Sequence, residues 1–351
     1  MKARALAYYL PQFHPTPEND QFWGKGFTEW TNLVKAKKFY PGHDQPKIPT
    51  ELGFYDLRLV NTMHDQSQLA HEHGVEGFLF WHYWFAGRKV LDLPLKLWTS
   101  SEGPNFPFAI AWANQSWTGH WHGSPKKMLI EQTYPIGDDE KHFKELLPYF
   151  LNNQYFKVDG KPLFYIFRPE ELPNAQEFVN RWKKMAESYG LPGLFLVAEV
   201  CDPFGRITYR NHDKDGFDAG VDMRFPIRKQ PIAKISSKIM KRLGFPSIYE
   251  YGKIDQKSLN IEISGLVYRA QFPNWDNTPR SGRHGIILRN STPAKFQENI
   301  KFALDEMKYL SPETRLIFIK SWNEWAEGNY LEPDLRFGRG YLESLKSEMC
   351  D

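Results

Sequence analysis

Eight short runs rich in β-branched and aromatic residues recur along the chain with segments of helical period between them, and this alternation constrains the fold more than any other feature. The runs occupy residues 4–10 (RALAYYL), 75–81 (VEGFLFW), 106–112 (FPFAIAW), 162–167 (PLFYIF), 194–200 (LFLVAEV), 216–223 (GFDAGVDM), 265–272 (GLVYRAQF) and 315–322 (RLIFIKSW), the sixth being the weakest. Strands that alternate with helices build βα units. Near-continuous apolar stretches such as FLFW and LIFI suit parallel strands covered on both faces.

The intervening helices show their period. Phe143, Leu146, Leu147, Phe150 and Leu151 share one face in the segment 138–152, where Pro148 is expected to bend the helix. Phe178, Trp182, Met185, Ala186 and Tyr189 form a second stripe, with Asn174 and Glu177 resembling a capping box and Gly190 a natural C′ residue. In a third segment Thr292 can cap, Pro293 takes N1, and Phe296, Ile300, Ala303, Leu304 and Met307 face inward. An open doubly wound sheet would usually carry a glycine-rich turn after its first strand, and PQFHPTPEND has none. The expectation is an α/β fold, a single (β/α)8 TIM barrel over residues 1–351 with extended βα-loops and a basic insertion at about 224–262. At 351 residues the chain falls within the range of that fold.

In such barrels the functional site lies at the C-terminal ends of the strands. The first strand leads to His14 and a loop with Trp23, Glu29 and Trp30; the second ends in Trp81, His82, Tyr83 and Trp84. The third supplies Trp112, Asn114 and Trp117, the fourth Tyr165 and Arg168, and the fifth Glu199. The seventh gives Trp275 and Asp276, and the eighth Trp322, Asn323, Glu324, Trp325 and Glu327. Aromatic rings beside a few polar groups describe a ligand pocket. The 16 % aromatic content exceeds what a core needs and suits stacking on sugar rings. A net charge of +3 from 45 basic and 42 acidic residues gives no polyelectrolyte character, which argues against nucleic acid as a partner.

Glu324 and Glu327 could divide the work of glycosidic bond chemistry, one holding a proton for the leaving oxygen and the other acting as base or nucleophile. Glu332, beside Pro333, reads as structural. His71 and His73 end a helix, and His82, His120 and His122 lie near the rim, where substrate hydrogen bonding is the better reading; no metal or other cofactor is expected.

Four motifs, YYLPQFHPTPENDQFWGKGFTEW, FWHYWF, WANQSW and SWNEWAEGNYLEP, occur in order. Together they resemble the WbsX-like proteins of bacterial surface-polysaccharide loci, whose domain is related to glycoside hydrolase family 99. The resemblance covers residues 4 to about 340. It implies a carbohydrate substrate, with Glu324 as the base that removes a proton from the sugar 2-OH to give a 1,2-anhydro intermediate. Glu327 would then be the acid that protonates the leaving oxygen and later activates water. The bond implied is α-mannoside-like and is cleaved with retention. Because the WbsX-like branch is also labelled glycosyltransferase, transfer from an activated sugar in O-antigen synthesis is the first alternative. A catalytically silent glycan-binding module is the second.

Residues 224–257 contain Arg224, Arg228, Lys229, Lys234, Lys238, Lys241, Arg242, Lys253 and Lys257 against Glu250 and Asp255. The apolar stripe Ile232, Ile235, Ile239 and Leu243 makes this a basic amphipathic helix. A solvated helix packed on the barrel is the simpler reading, and weak contact with an anionic membrane the alternative. Cys201 and Cys350 show no disulfide or metal spacing, the N-terminus lacks the pattern of a signal peptide, and no run is long enough to span a membrane, so a cytoplasmic location is expected.

Overall fold

A computed structural model describes residues 2–119, 124–228, 244–252 and 263–350. Eight parallel strands form one sheet: β1 (Arg4–Tyr9), β2 (Gly77–Phe85), β3 (Phe108–Trp112), β4 (Lys161–Ile166), β5 (Phe195–Cys201), β6 (Ala219–Asp222), β7 (Val267–Arg269) and β8 (Leu316–Ile319). Each pairs with the next in chain order, and β1 pairs with β8 through Arg4↔Leu316 to Ala7↔Ile319. Between β7 and β8 the ladder reduces to one parallel bridge, Gln271↔Ile319, in which Gln271 N donates to Phe318 O at 2.8 Å and Lys320 N to Gln271 O at 2.9 Å. The result is a nearly closed TIM-like barrel.

The strands are buried along almost their whole length, as their apolar runs require. Close strand approach is visible at Gly77, where a Cβ would sit 2.9 Å from Pro107 O. The barrel interior is aromatic: Tyr8 meets Trp81 at 5.2 Å and Tyr165 at 5.4 Å between ring centroids, and Tyr165 and Tyr268 both pack on Phe318.

Outer helices Val60–Glu72, Asp138–Phe150, Ala175–Ser188, Pro293–Glu306 and Gly340–Met349 cover the barrel. Their starts follow local chemistry, with Asn174 accepting from Glu177 N and Thr292 from Lys295 N ahead of Pro293. Gly190 takes φ 82°, the left-handed conformation of a C′ residue. The ends of two expected stripes turn outward, since Leu151 and Tyr189 lie just past the last helical turn and are exposed.

Two expectations are corrected. The β5–β6 connection, residues 202–218, contains no helix; its polar sequence folds as turns, with Asp202 Oδ1 accepting from Phe204 N at 3.0 Å and Arg206 N at 2.9 Å. β2 runs four residues past Trp81 to Phe85 and returns through Ala86 (φ 46°) and Gly87 (φ 94°) into the antiparallel strand Arg88–Val90. Both turn residues have the positive φ of a tight hairpin. The basic insertion falls largely outside the described residues, as does the stripe Ile232 to Leu243. Its described part Ser247–Glu250 forms a two-stranded parallel ladder with Ile286–Arg289. No helix among the described residues is long and apolar enough to cross a membrane.

Candidate active site

The loops at the C-terminal ends of the strands enclose a cavity of about 750 Å³. After β8 the chain forms a two-residue ladder, Asn323–Glu324 against Asn329–Tyr330, around one 3₁₀ turn, Trp325–Glu327. Gly328 closes the turn at φ 53°, and a Cβ there would lie 2.8 Å from Asp276 N. The fold-back brings Glu324 and Glu327 onto the same cavity wall, close enough for their carboxyl groups to couple.

Each carboxyl has its own cation. Lys320 Nζ donates to Glu324 Oε1 at 2.5 Å, and Trp81 Nε1 donates to the same oxygen at 2.9 Å. Arg280 Nη1 donates to Glu327 Oε1 at 2.5 Å, while its Nε and Nη2 reach Glu29 Oε1 at 2.7 and 2.5 Å. Burial pushes the Glu324 carboxyl up, but Lys320, the bond to Glu327 and Arg280 outweigh it and hold Glu324 at about 2. Burial also raises Glu327, and with Glu324 beside it the carboxyl stays at about 7 despite Arg280. Between about pH 2 and pH 7 the pair therefore carries one proton, held on Glu327 and given up as pH rises through neutrality. A third carboxyl, Glu199, is pushed up to about 8 by burial and accepts from Tyr165 OH at 2.8 Å.

Of the residues expected at the site, Trp23, Trp81, Tyr83, Trp117, Arg168, Glu199, Trp275, Glu324 and Glu327 line the cavity. The others do not, each for an identifiable reason. His82 and Trp84 point to the opposite face of β2 from Trp81 and Tyr83, because side chains alternate along a strand. There His82 bonds His142 at 3.0 Å, Trp84 Nε1 donates to Asp138 at 2.9 Å, and burial pulls His82 down to about 4. Trp112 packs on Phe178 and donates to Trp84 O at 3.3 Å.

Asn114 and Asn323 serve as backbone staples. Asn114 bonds both Arg168 N (2.7 Å) and Arg168 O (2.8 Å), and Asn323 does the same to Leu10 (2.7 and 3.1 Å). Tyr165 reaches the cavity only through Glu199. Trp322 is buried against Phe78, and His14 is buried with its imidazole pulled down by desolvation. Trp30 and Trp325 pack together under the turn; Trp325 also stacks on Tyr330 at 3.9 Å and donates to Glu332, which accepts as well from Tyr55 OH at 3.0 Å and Gln66 Nε2 at 2.7 Å. Glu29 stands behind Arg280.

Asp276 borders a second cavity of about 210 Å³ and organises the short helix Thr278–Ser281 that carries Arg280. It accepts from His43 and Gln45 at 2.8 Å each, from Thr278 N at 3.1 Å and from Thr278 Oγ1 at 2.6 Å. His120 and His122 lie outside the described residues.

Sequence reasoning missed Lys320, Arg280, Gln115, Phe167, Glu171 and Phe272 on the cavity wall. Lys320 left a signal, a cation ending the apolar run LIFI four residues before Glu324. Arg280, in the loop NTPRSG, left none.

A TIM-like barrel whose loop face holds a carboxyl pair, Glu324 buried and Glu327 half-buried, among aromatic walls defines a class of enzyme-like pockets suited to glycans. Within that class, residues 5–345 match the family described as "Glycosyltransferase WbsX", and the chain belongs to that family. The proteins named "Uncharacterized protein WxcX" from two strains of Xanthomonas campestris pv. campestris are 33 % and 34 % identical over 99 % of the chain. The chain spans about half the length of these curated relatives, 50 % in each case. Among solved structures, a "Glycoside hydrolase-like protein" superposes with TM-score 0.62 at 13 % identity, covering 99 % of this chain and 94 % of that one. The GH99 endo-alpha-mannosidase from Bacteroides thetaiotaomicron, solved with BIS-TRIS-propane, gives TM-score 0.57 at 14 % identity, covering 98 % and 95 %. These likenesses establish the shared barrel.

Proposed function

We propose that the chain is a retaining carbohydrate-active enzyme that cleaves an α-mannoside-like bond in a bacterial surface polysaccharide. The observation that carries this reading is the pair Glu324 and Glu327 on one cavity wall, with Lys320 and Trp81 bonded to Glu324 and Arg280 to Glu327. Double displacement with a carboxylate nucleophile needs carboxyl groups ~5 Å apart, and inversion needs ~6.5–9.5 Å to admit a water. Two carboxyls three residues apart on one tight turn, close enough to couple, favour action on adjacent atoms of one sugar.

In the first step ionised Glu324 takes the proton of the 2-OH, O2 bonds to C1, the C1–O bond to the leaving group breaks, and Glu327 gives its proton to the departing oxygen. The 1,2-anhydro sugar then opens. Glu327 takes a proton from water as its oxygen bonds to C1, the C1–O2 bond breaks, and O2 recovers the proton from Glu324. Two inversions at C1 give net retention. Lys320 and Trp81 orient Glu324, and the aromatic walls supply stacking surface for a sugar ring.

Glu324→Gln and Glu327→Gln should each lower turnover on the glycan of the same gene cluster by ~10²-fold or more while the protein stays folded. Wild-type turnover in both variants would remove the pair from the chemistry. A second reading, transfer from a nucleotide sugar, is favoured by the family's description and by Arg168. That guanidinium sits on the cavity wall, 3.5 Å from Glu170 and over the Phe167 ring. Metal-dependent consumption of a nucleotide sugar without glycan cleavage would decide for it.

A further inference from the structure

Three carboxyl groups and two cations meet at the turn after β8: Glu29, Glu324 and Glu327 with Arg280 and Lys320. They come from three different loops and are enclosed, the Arg280 and Glu29 side chains being 6 % and 0 % exposed. With every carboxyl ionised the cluster would hold one negative charge in excess, and one bound proton makes it neutral. A buried site of low dielectric favours that neutral state strongly.

The geometry points to Glu29 as the positioning residue that keeps Glu327 protonated, by engaging Arg280 so that the guanidinium cannot by itself hold Glu327 as a carboxylate. Arg280 donates from Nε to Glu29 Oε1 and from Nη1 to Glu327 Oε1, and its Nη2 lies in ion-pair contact with the same Glu29 oxygen at 2.5 Å. Burial raises the Glu29 carboxyl and Arg280 opposes that rise by charge and by hydrogen bond, so the guanidinium is drawn toward Glu29 and less of its charge is left for the Glu324–Glu327 pair. Lys320 settles where in the pair the proton resides, since its ammonium lies on Glu324.

The groups facing Glu327 are Arg280 from the β7 loop, Glu324 and Lys320 from the β8 segment, Glu29 behind Arg280 from the β1 loop, and the neutral phenol of Tyr83 from β2. Glu199 faces Lys320 from β5. Glu29 has no place on the cavity wall, so its influence on the proton passes through Arg280. The catalytic consequence rests on the proposed role of Glu327 as proton donor, whereas the proton count can be measured without turnover.

The test is a carbon-13 NMR titration of the full chain labelled at the glutamate carboxyl carbon, with the Glu327 resonance assigned by its loss in Glu327→Gln. Glu29→Gln removes one negative charge, leaves two cations for two carboxyls, and should lower the Glu327 midpoint by one pH unit or more, tenfold in proton affinity. Arg280→Met removes one positive charge and should move the midpoint the opposite way. Opposite displacements support the inference; an unmoved midpoint, or displacement in the same direction in both variants, overturns it. Should Glu29→Gln fail to fold, an Arg280→Met midpoint that does not rise overturns it alone. On a glycan substrate the alkaline limb of kcat/KM should follow the NMR midpoint in Glu29→Gln, whereas a merely structural role would lower activity equally at all pH. A wild type that shows the NMR displacements yet turns over no glycan would defeat the enzymatic reading and leave the proton assignment standing.

Discussion

Replacing Glu327 by glutamine should change how stability depends on pH, in a direction fixed by the site. In the folded protein burial and Glu324 hold Glu327 at about 7, against 4.5 for an ordinary glutamate. Between those values the folded chain keeps a proton that the unfolded chain has released, so wild-type stability falls as pH rises through the window. At about 1.36 kcal/mol per pH unit the interval corresponds to ~3 kcal/mol. Glu327→Gln keeps an uncharged carboxamide at every pH and escapes the loss. Urea unfolding at intervals from pH 4 to pH 8 should show the variant gaining ~2–3 kcal/mol on the wild type, nearly all of it between pH 4.5 and pH 7.

Glu324→Gln supplies the opposite sign. Burial raises Glu324, but Lys320 and its other partners bring it down to about 2, so its ionised form contributes stability above pH 4.5 that is lost as pH falls toward 2. Its difference curve against the wild type should bend below pH 4.5, and above pH 4.5 the variant should lose less stability than the wild type as pH rises, because Glu327 no longer has the Glu324 charge beside it. Parallel curves for Glu327→Gln and wild type across the upper window would refute the claim that Glu327 retains its proton. The mechanism built on that proton would fall with it.

Asp276→Ala should lower stability by ~2–4 kcal/mol in urea unfolding at pH 7, because it strips partners from the buried donors of His43, Gln45 and Thr278. Glycan turnover should fall as well, since the helix carrying Arg280 loses its anchor; unchanged stability would show that water replaces the carboxylate. Reversing Lys234, Lys238, Lys241 and Arg242 to glutamate should reduce binding to anionic vesicles, most at low salt, where surface charges are least screened. Equal binding by both proteins would remove the membrane contact for the basic insertion.

The sequence by itself determined the barrel, because eight apolar runs separated by helical stripes and caps have few other ways to bury their faces. It also determined the neighbourhood of the site, since the strand ends of such a barrel converge wherever the loops lead. Even so, the reach of β2 was hidden: WHYWF reads as a rim loop, yet it continues as strand, and period-two alternation sends Trp81 and Tyr83 into the cavity while His82 and Trp84 turn away. The cations of the carboxyl pair were hidden more deeply. Lys320 sits four residues from Glu324 and left a trace, but Arg280, separated from Glu327 by 47 residues, meets it only after the loops fold against one another, and Glu29, expected on the cavity wall, is found behind Arg280 instead. Tertiary structure therefore decided which carboxyl keeps the proton, since that depends on distances of a few ångströms between charges and on the exclusion of water around them.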